Sequence, residues 1–128
     1  MKSMNKQSCI RVYADEQQIN RCKNNLNSKG DALRSLSNIL NVSGNDVRLK
    51  ILFLLQQEKK LCPCDLSDIL EMTVPAISQH LKKMRLSGIV QQDRIAQTIF
   101  YSISKEYEKL VSPILRVLDS MNKVGAKT

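Results

Sequence analysis

The stretch Leu61–Ser87, LCPCDLSDILEMTVPAISQHLKKMRLS, followed by Gly88, decides how this chain folds. Leu66, Ile69 and Leu70 fall on one helical face. After Glu71, Met72 and Thr73 a second apolar set begins with Val74, Ile77, Leu81 and Met84, at spacings of 3, 4 and 3. The pattern predicts two short helices joined by a tight turn. Thr73 suits an N-cap, Pro75 sits in a first turn where its missing N–H costs little, and Gly88 closes the second helix where a left-handed residue is wanted.

Opposite the second apolar stripe lie Ser78, Gln79, Lys82 and Lys83, with Ala76 and His80 beside them and Thr73 at the helix start. These groups donate to phosphates or read base edges, on a helix short enough to lie in a major groove. Helix-turn-helix is the reading this favours over an ordinary helical hairpin with a solvated face.

Composition points the same way. At 128 residues and 42% hydrophobic, the chain suits one compact domain that needs no staples. No apolar run approaches the ~18 residues of a membrane span, and Met1–Ile10 has no signal-peptide core, so a cytoplasmic address is expected. Twenty basic residues against twelve acidic ones leave a net charge of +8, which favours a polyanionic partner such as nucleic acid. The cysteines are Cys9, Cys22, Cys62 and Cys64; in a reducing compartment thiols serve more often as metal ligands, redox groups or core residues than as disulfides. With few aromatics and no Trp, a stacking platform for single-stranded bases is not expected.

Working outward, residues 1–30 read as an N-terminal arm carrying Cys9 and Cys22. It holds a short helix from Asp15 anchored by Ile19, Cys22 and Leu26 and broken by Ser28, Lys29 and Gly30. Residues 31–123 read as the DNA-binding and dimerisation domain, and 124–128 as a tail. Leu33, Leu36, Ile39 and Leu40 mark a first core helix. Ser43 or Asn45 caps the next, in which Val47, Ile51, Leu54 and Leu55 share a face that Leu52 widens. After Gly88 the period changes to that of strands: Ile89 and Val90 on one flank, Thr98–Ile103 on the other, a polar link between them and Arg94 at the tip. A two-stranded hairpin directly after a helix-turn-helix is a wing, and Arg94 is placed to reach a minor groove or phosphate. A last helix from about Lys105 to Lys123 carries Tyr107, Leu110, Val111, Ile114, Leu118 and Met121 on one stripe, with Pro113 expected to bend or break it. With the first helix, that stripe offers a two-fold dimer interface. The fold expected is mainly α with a two-stranded β-hairpin, a dimeric winged helix-turn-helix.

The residues LCPCDLSDIL, VPAISQHLKKMRLSGIV and IFYSI, in this order of elements, resemble the ArsR/SmtB family of winged-helix metal-sensing repressors over roughly Leu33 to Met121. The resemblance is strongest to the thiolate branch answering cadmium, lead, arsenite or mercury, and it implies that the C-x-C cysteines join cysteines of an N-terminal arm, often the other subunit's. The chain departs from the family pattern at three places. Asn45, Asp46, Val47 and Arg48 stand where the family has Asp or Asn before Pro-Thr-Arg, so the Pro is missing and Arg48 kept. Asp93, Arg94, Ile95 and Ala96 replace a wing Arg-Glu-Gly without the Gly. Lys105, Tyr107, Leu118 and Met121 occupy the region where zinc-binding members carry Asp, His and Glu, so no last-helix zinc site is expected. In the arm, Cys9 matches, Tyr13 falls where a second cysteine belongs, and Cys22 is the further thiol.

Chemistry supports a switch at the same place. Pro63 makes Cys62 an N-cap and Cys64 a first-turn residue, where unpaired N–H groups favour thiolates and so soft metals. Two thiolates rarely satisfy Cd(II), Pb(II) or As(III), so Cys9 and Cys22 must complete the set. The expected inducers are Hg(II), Cd(II) or Pb(II), with As(III), Zn(II) and Cu(I) compatible. The chain is thus expected to hold double-stranded operator DNA as a homodimer and release it on metal binding. The rivals are a thiol redox sensor and a basic interaction or metal-buffering module. One histidine, no Gly-rich phosphate loop and no converging Ser, His and acid set argue against an enzyme acting on a small organic substrate.

Overall fold

A computed structural model describes residues 9–125 of the chain, with side chains described through Met121. The expected first eight residues of the arm and residues 126–128 of the tail lie outside the described residues. The elements in order are α1 (Glu16–Ser43), α2 (Asp46–Glu58), α3 (Pro63–Leu70), α4 (Val74–Leu86), β1 (Val90–Ile95), β2 (Thr98–Ile103) and α5 (Lys105–Gly125). The chain divides into two compact units between Ser35 and Leu36.

In the unit ending at Ser35, Asp15 caps α1 by accepting from the Gln18 amide at 3.1 Å. None of its described side chains is buried, and Ile10, Val12, Tyr13, Leu26 and Leu33 are exposed. The break expected at Ser28–Gly30 does not occur. The Ser28 hydroxyl donates to the Asn25 carbonyl at 2.9 Å, inside the helix. A single helical Gly costs only about 1 kcal/mol relative to Ala, too little to end a 28-residue helix.

The unit from Leu36 onward has one apolar core, assembled from Ile39 of α1, Ile51, Leu52 and Leu55 of α2, Leu66 of α3, Ile77, Leu81 and Met84 of α4, Ile89 and Val90, Tyr101 and Ile103 of β2, and Val111 and Leu115 of α5. Two expectations about this core need correction. Of Leu36, Ile39 and Leu40, only Ile39 is enclosed, since these residues span more of the helix circumference than one contact covers. On α5 the enclosed positions are Val111 and Leu115, four apart, while Leu110, Val117 and Met121 point outward. Pro113 sits inside α5 without ending it.

The wing is longer than its composition suggests. β1 pairs antiparallel with β2 from Val90–Ile103 at the base to Ile95–Thr98 at the end, so Gln91–Arg94 are strand residues and the turn is Ala96–Gln97. Arg94 is therefore one pair below the tip, opposite Ile99. Ala96 takes φ +59, the conformation that the missing Gly would adopt freely. Ala96→Gly is expected to leave stability unchanged or raise it by up to about 1 kcal/mol, relief of the left-handed strain being set against a looser unfolded chain; urea denaturation checks this. At the base, Leu61 and Tyr101 exchange both backbone hydrogen bonds, at 3.1 and 2.8 Å. The residue before Cys62 is thereby stitched to the wing.

Candidate nucleic-acid interface and thiol site

The turn between α3 and α4 is built by side chains reaching backbone. α3 ends at Glu71, whose φ of +55 turns the chain and whose N–H donates to the Ser67 carbonyl. The Ser67 hydroxyl donates to the Met72 carbonyl. Thr73 is extended and its Oγ1 accepts from the Ala76 amide at 3.3 Å, capping α4 with Pro75 in the first turn. Gly88 has φ +87 just after α4, where a side chain would be strained.

This frame aims α4. Ile77, Leu81 and Met84 are fully enclosed, which leaves Ser78, Gln79, Lys82 and Lys83 exposed, with Ala76 and His80 half-buried at the margins. Thr73 is exposed at the helix start, and Arg94 is exposed on β1. The sequence-predicted reading residues thus occupy one helix face and one strand of a wing. Local pattern gives no reason to join Arg48 to them. Its Nε donates to the Val42 carbonyl at 2.7 Å, and its charge reaches His80.

His80 is the chain's single histidine. Burial first, then the charges of Arg48 and Lys83, hold its imidazole below its ordinary value of 6.5. Protonation is therefore harder in the folded chain than in the unfolded one. The stability His80 contributes is complete above about 6.5 and is lost as pH falls through the lower folded value. Proton NMR should show a single imidazole titrating below 6.5 in the free protein and moving upward when duplex DNA supplies phosphates to offset the two cations.

The thiols fall into two groups. Cys62 is the N-cap of α3, with Pro63 at the first helical position and Cys64 next. The Cys62 amide donates to Asp65 Oδ2 at 3.2 Å, the return half of a capping box. Cys62 is half-buried and Cys64 exposed, both unbonded. Burial pushes the Cys62 thiol up and the Asp65 carboxylate adds to the rise; the helix-end N–H groups of Asp65 and Cys64 favour the thiolate as expected but are outweighed. A metal at Cys62 must displace a proton, so its grip weakens as pH falls. Cys9 and Cys22, in the unit ending at Ser35, are both exposed. Within neither unit do three or more His, Cys, Asp or Glu of the described residues gather at one point.

A helix pair whose second member shows a polar face, followed by a hairpin, defines a winged helix-turn-helix DNA-binding protein. The chain belongs to the arsR family of bacterial regulatory proteins, which its residues 45–92 match. It is 28% identical over 106 residues to a cadmium resistance transcriptional regulatory protein, the CadC homolog of Staphylococcus aureus, covering 83% of this chain and 86% of that one. It is 32% identical over 79 residues to the arsenic resistance transcriptional regulator ArsR1 of Pseudomonas putida, covering 62% of each. The solved structure of reduced HlyU from Vibrio cholerae matches with a TM-score of 0.63 at 31% identity, over 70% of this chain and 95% of that one. The chain is accordingly a DNA-binding transcriptional regulator and not an enzyme. No described helix is long and apolar enough to cross a membrane.

Proposed function

We propose that this protein is a metal-responsive transcriptional repressor, a homodimer that holds operator DNA through α4 and the wing and lets go when a thiophilic ion binds Cys62 and Cys64 together with Cys9 and Cys22. The observation that carries the reading is the place of Cys62-Pro63-Cys64. It opens α3, directly ahead of the reading helix, and its neighbour Leu61 is bonded on both sides to Tyr101 of the wing. The soft donor set fits Hg(II), Cd(II) or Pb(II), and the names of the CadC and ArsR1 relatives support heavy ions of this class. With only two thiols in the winged unit, the arm cysteines must finish the site.

Pulling the front of α3 strains two connections at once. One runs through the hydrogen-bonded turn of Ser67, Glu71 and Thr73 into α4. The other runs through Leu61 and Tyr101 into the hairpin, where Gln92 Nε2 donates to the Tyr101 hydroxyl at 2.7 Å, two pairs from Arg94. Both DNA-facing parts are thereby biased by one ion. Exposed Leu36 and Leu40 on α1, and Leu110, Val117 and Met121 on α5, are the apolar surface that a second copy would cover.

The test is the affinity of the reduced protein for its own upstream promoter fragment with and without each ion. Release of roughly 100-fold, or about 2.7 kcal/mol of coupling, is expected; equal affinity in both states rejects the reading. The free thiols and the likeness to HlyU in its reduced form support a second reading, a redox switch. There two thiols lose two protons and two electrons to form a disulfide while peroxide is reduced to water. Release by peroxide in the presence of a chelator, with no response to metal, distinguishes it.

A further inference from the structure

We infer that Arg48, on the first turn of α2, is a DNA backbone-phosphate contact that extends the reading face of α4 onto a second helix. The inference rests on α4 facing the duplex, as proposed above, and adds a residue outside the helix-turn-helix and wing.

Arg48 is held before any ligand arrives. Asn45 Oδ1 accepts from the Arg48 amide at 3.1 Å, fixing the start of α2, and Arg48 Nε donates to the Val42 carbonyl at 2.7 Å, fixing the guanidinium against the end of α1. One of five N–H donors is thereby used and the other four, on the two terminal nitrogens, remain. No carboxylate among the described residues pairs with this cation: the ion pairs there are Arg34–Asp31 and Lys50–Asp46. The nearby Asp46, two residues earlier, is taken by Lys50 at 3.0 Å.

A half-buried guanidinium that is pinned and left without an anion is costly in a fold that serves stability alone, because burial strips water from the charge without replacing it. The cost is offset when the anion comes from outside. α2 packs on α4, and the Arg48 charge is felt at His80, which borders the exposed polar face of α4 three residues before Lys83. Arg48 and Lys83 both act on His80, and a planar fork already fixed by Val42 suits the two oxygens of a phosphate. Contact of this kind sets register and orientation on the duplex and carries no base preference.

Because a phosphate contact is independent of sequence, a mixed-sequence duplex serves as the probe. Binding of the reduced, metal-free full chain is followed by fluorescence anisotropy across a salt series. Arg48→Gln keeps an N–H donor for the Val42 carbonyl and removes the charge; it should lower the slope of log affinity against log salt by about 0.9. Arg48→Lys should hold the wild-type slope. A wild-type slope in Arg48→Gln overturns the proposal. A Lys83→Gln protein measured in parallel separates the two readings: a lowered slope there with none in Arg48→Gln rejects Arg48 alone, while no change in either rejects the α4 face as well. Two further measurements guard against a misfolded variant. Duplex addition should shift the Arg48 guanidinium resonances in nitrogen-15 NMR, and unchanged resonances overturn the proposal. In Arg48→Gln the His80 imidazole should titrate at higher pH than in the wild type, and with an unchanged urea midpoint that rise reports the lost charge and not lost burial, which would act in the same direction.

Discussion

Leu81→Ala is expected to cost about 3 kcal/mol, within the 2–5 kcal/mol range for removing most of a buried leucine. Leu81 is fully enclosed between Ile77 and Met84 on α4 and joins the core that holds α2, α3 and the base of the wing. Its loss removes transfer energy and leaves a cavity that three rigid helices cannot close. Against a total of about 5–15 kcal/mol for a domain of this kind, that is a large fraction. For a denaturant slope near 2 kcal/mol/M the urea midpoint falls by roughly 1.5 M with the slope unchanged. Lys82→Ala, one residue along but exposed, should move stability by less than about 0.5 kcal/mol while weakening duplex binding. The contrast between adjacent positions separates the anchor from the reader. Equal effects of the two substitutions on stability would mean that α4 is not seated as described.

That contrast is legible in the sequence, because an amphipathic helix declares its two faces through spacing alone. The stripe Ile77, Leu81 and Met84 and the caps Thr73 and Gly88 are local signals, and local signals survive folding. Other features were hidden for identifiable reasons. Gln91–Arg94 are polar enough to pass for a loop, yet they pair along β1 because only its base, Val90, needs burial and the rest of an exposed wing tolerates polar side chains on both faces. Ser28 and Gly30 look like a break, but a helix resists residues that cost it so little. The Leu61–Tyr101 bridge joins positions forty apart, and no window of sequence contains both. The influence of Arg48 on His80 is the same kind of fact: each belongs to its own helix pattern, and their coupling follows only from how α2 packs on α4. Of the candidate site, the reading face was visible as a list of residues, while its extension to a second helix was not. The Cys62 thiol divides in the same way, since the N–H groups of the helix N-terminus are a local signal and the burial that outweighs them is not.

Cys62→Ser should leave duplex binding intact and remove the response to metal, converting a release of roughly 100-fold into none, a change of about 2.7 kcal/mol in coupling. The physical interest of this variant lies in its position. Cys62 is an N-cap whose amide is bonded to Asp65 Oδ2, and serine is preferred at N-caps because its hydroxyl accepts well from the first-turn amides. The substitution therefore keeps the capping box and should hold or raise thermal stability, so that loss of response cannot be assigned to loss of fold. Cys64→Ser, exposed in the first turn, should lose the response in the same way with little change in stability. Because coupling is reciprocal, wild-type protein saturated with promoter DNA should bind the ion about 100-fold more weakly than free protein, and in Cys62→Ser that difference should vanish. Ultraviolet thiolate-to-metal absorption during titration reads the sulfur count directly, and it should fall by one per site in each single variant. A Cys62→Ser protein that still leaves its promoter on metal addition would move the sensing site away from α3, and the strain through Leu61 and Ser67 would no longer explain release.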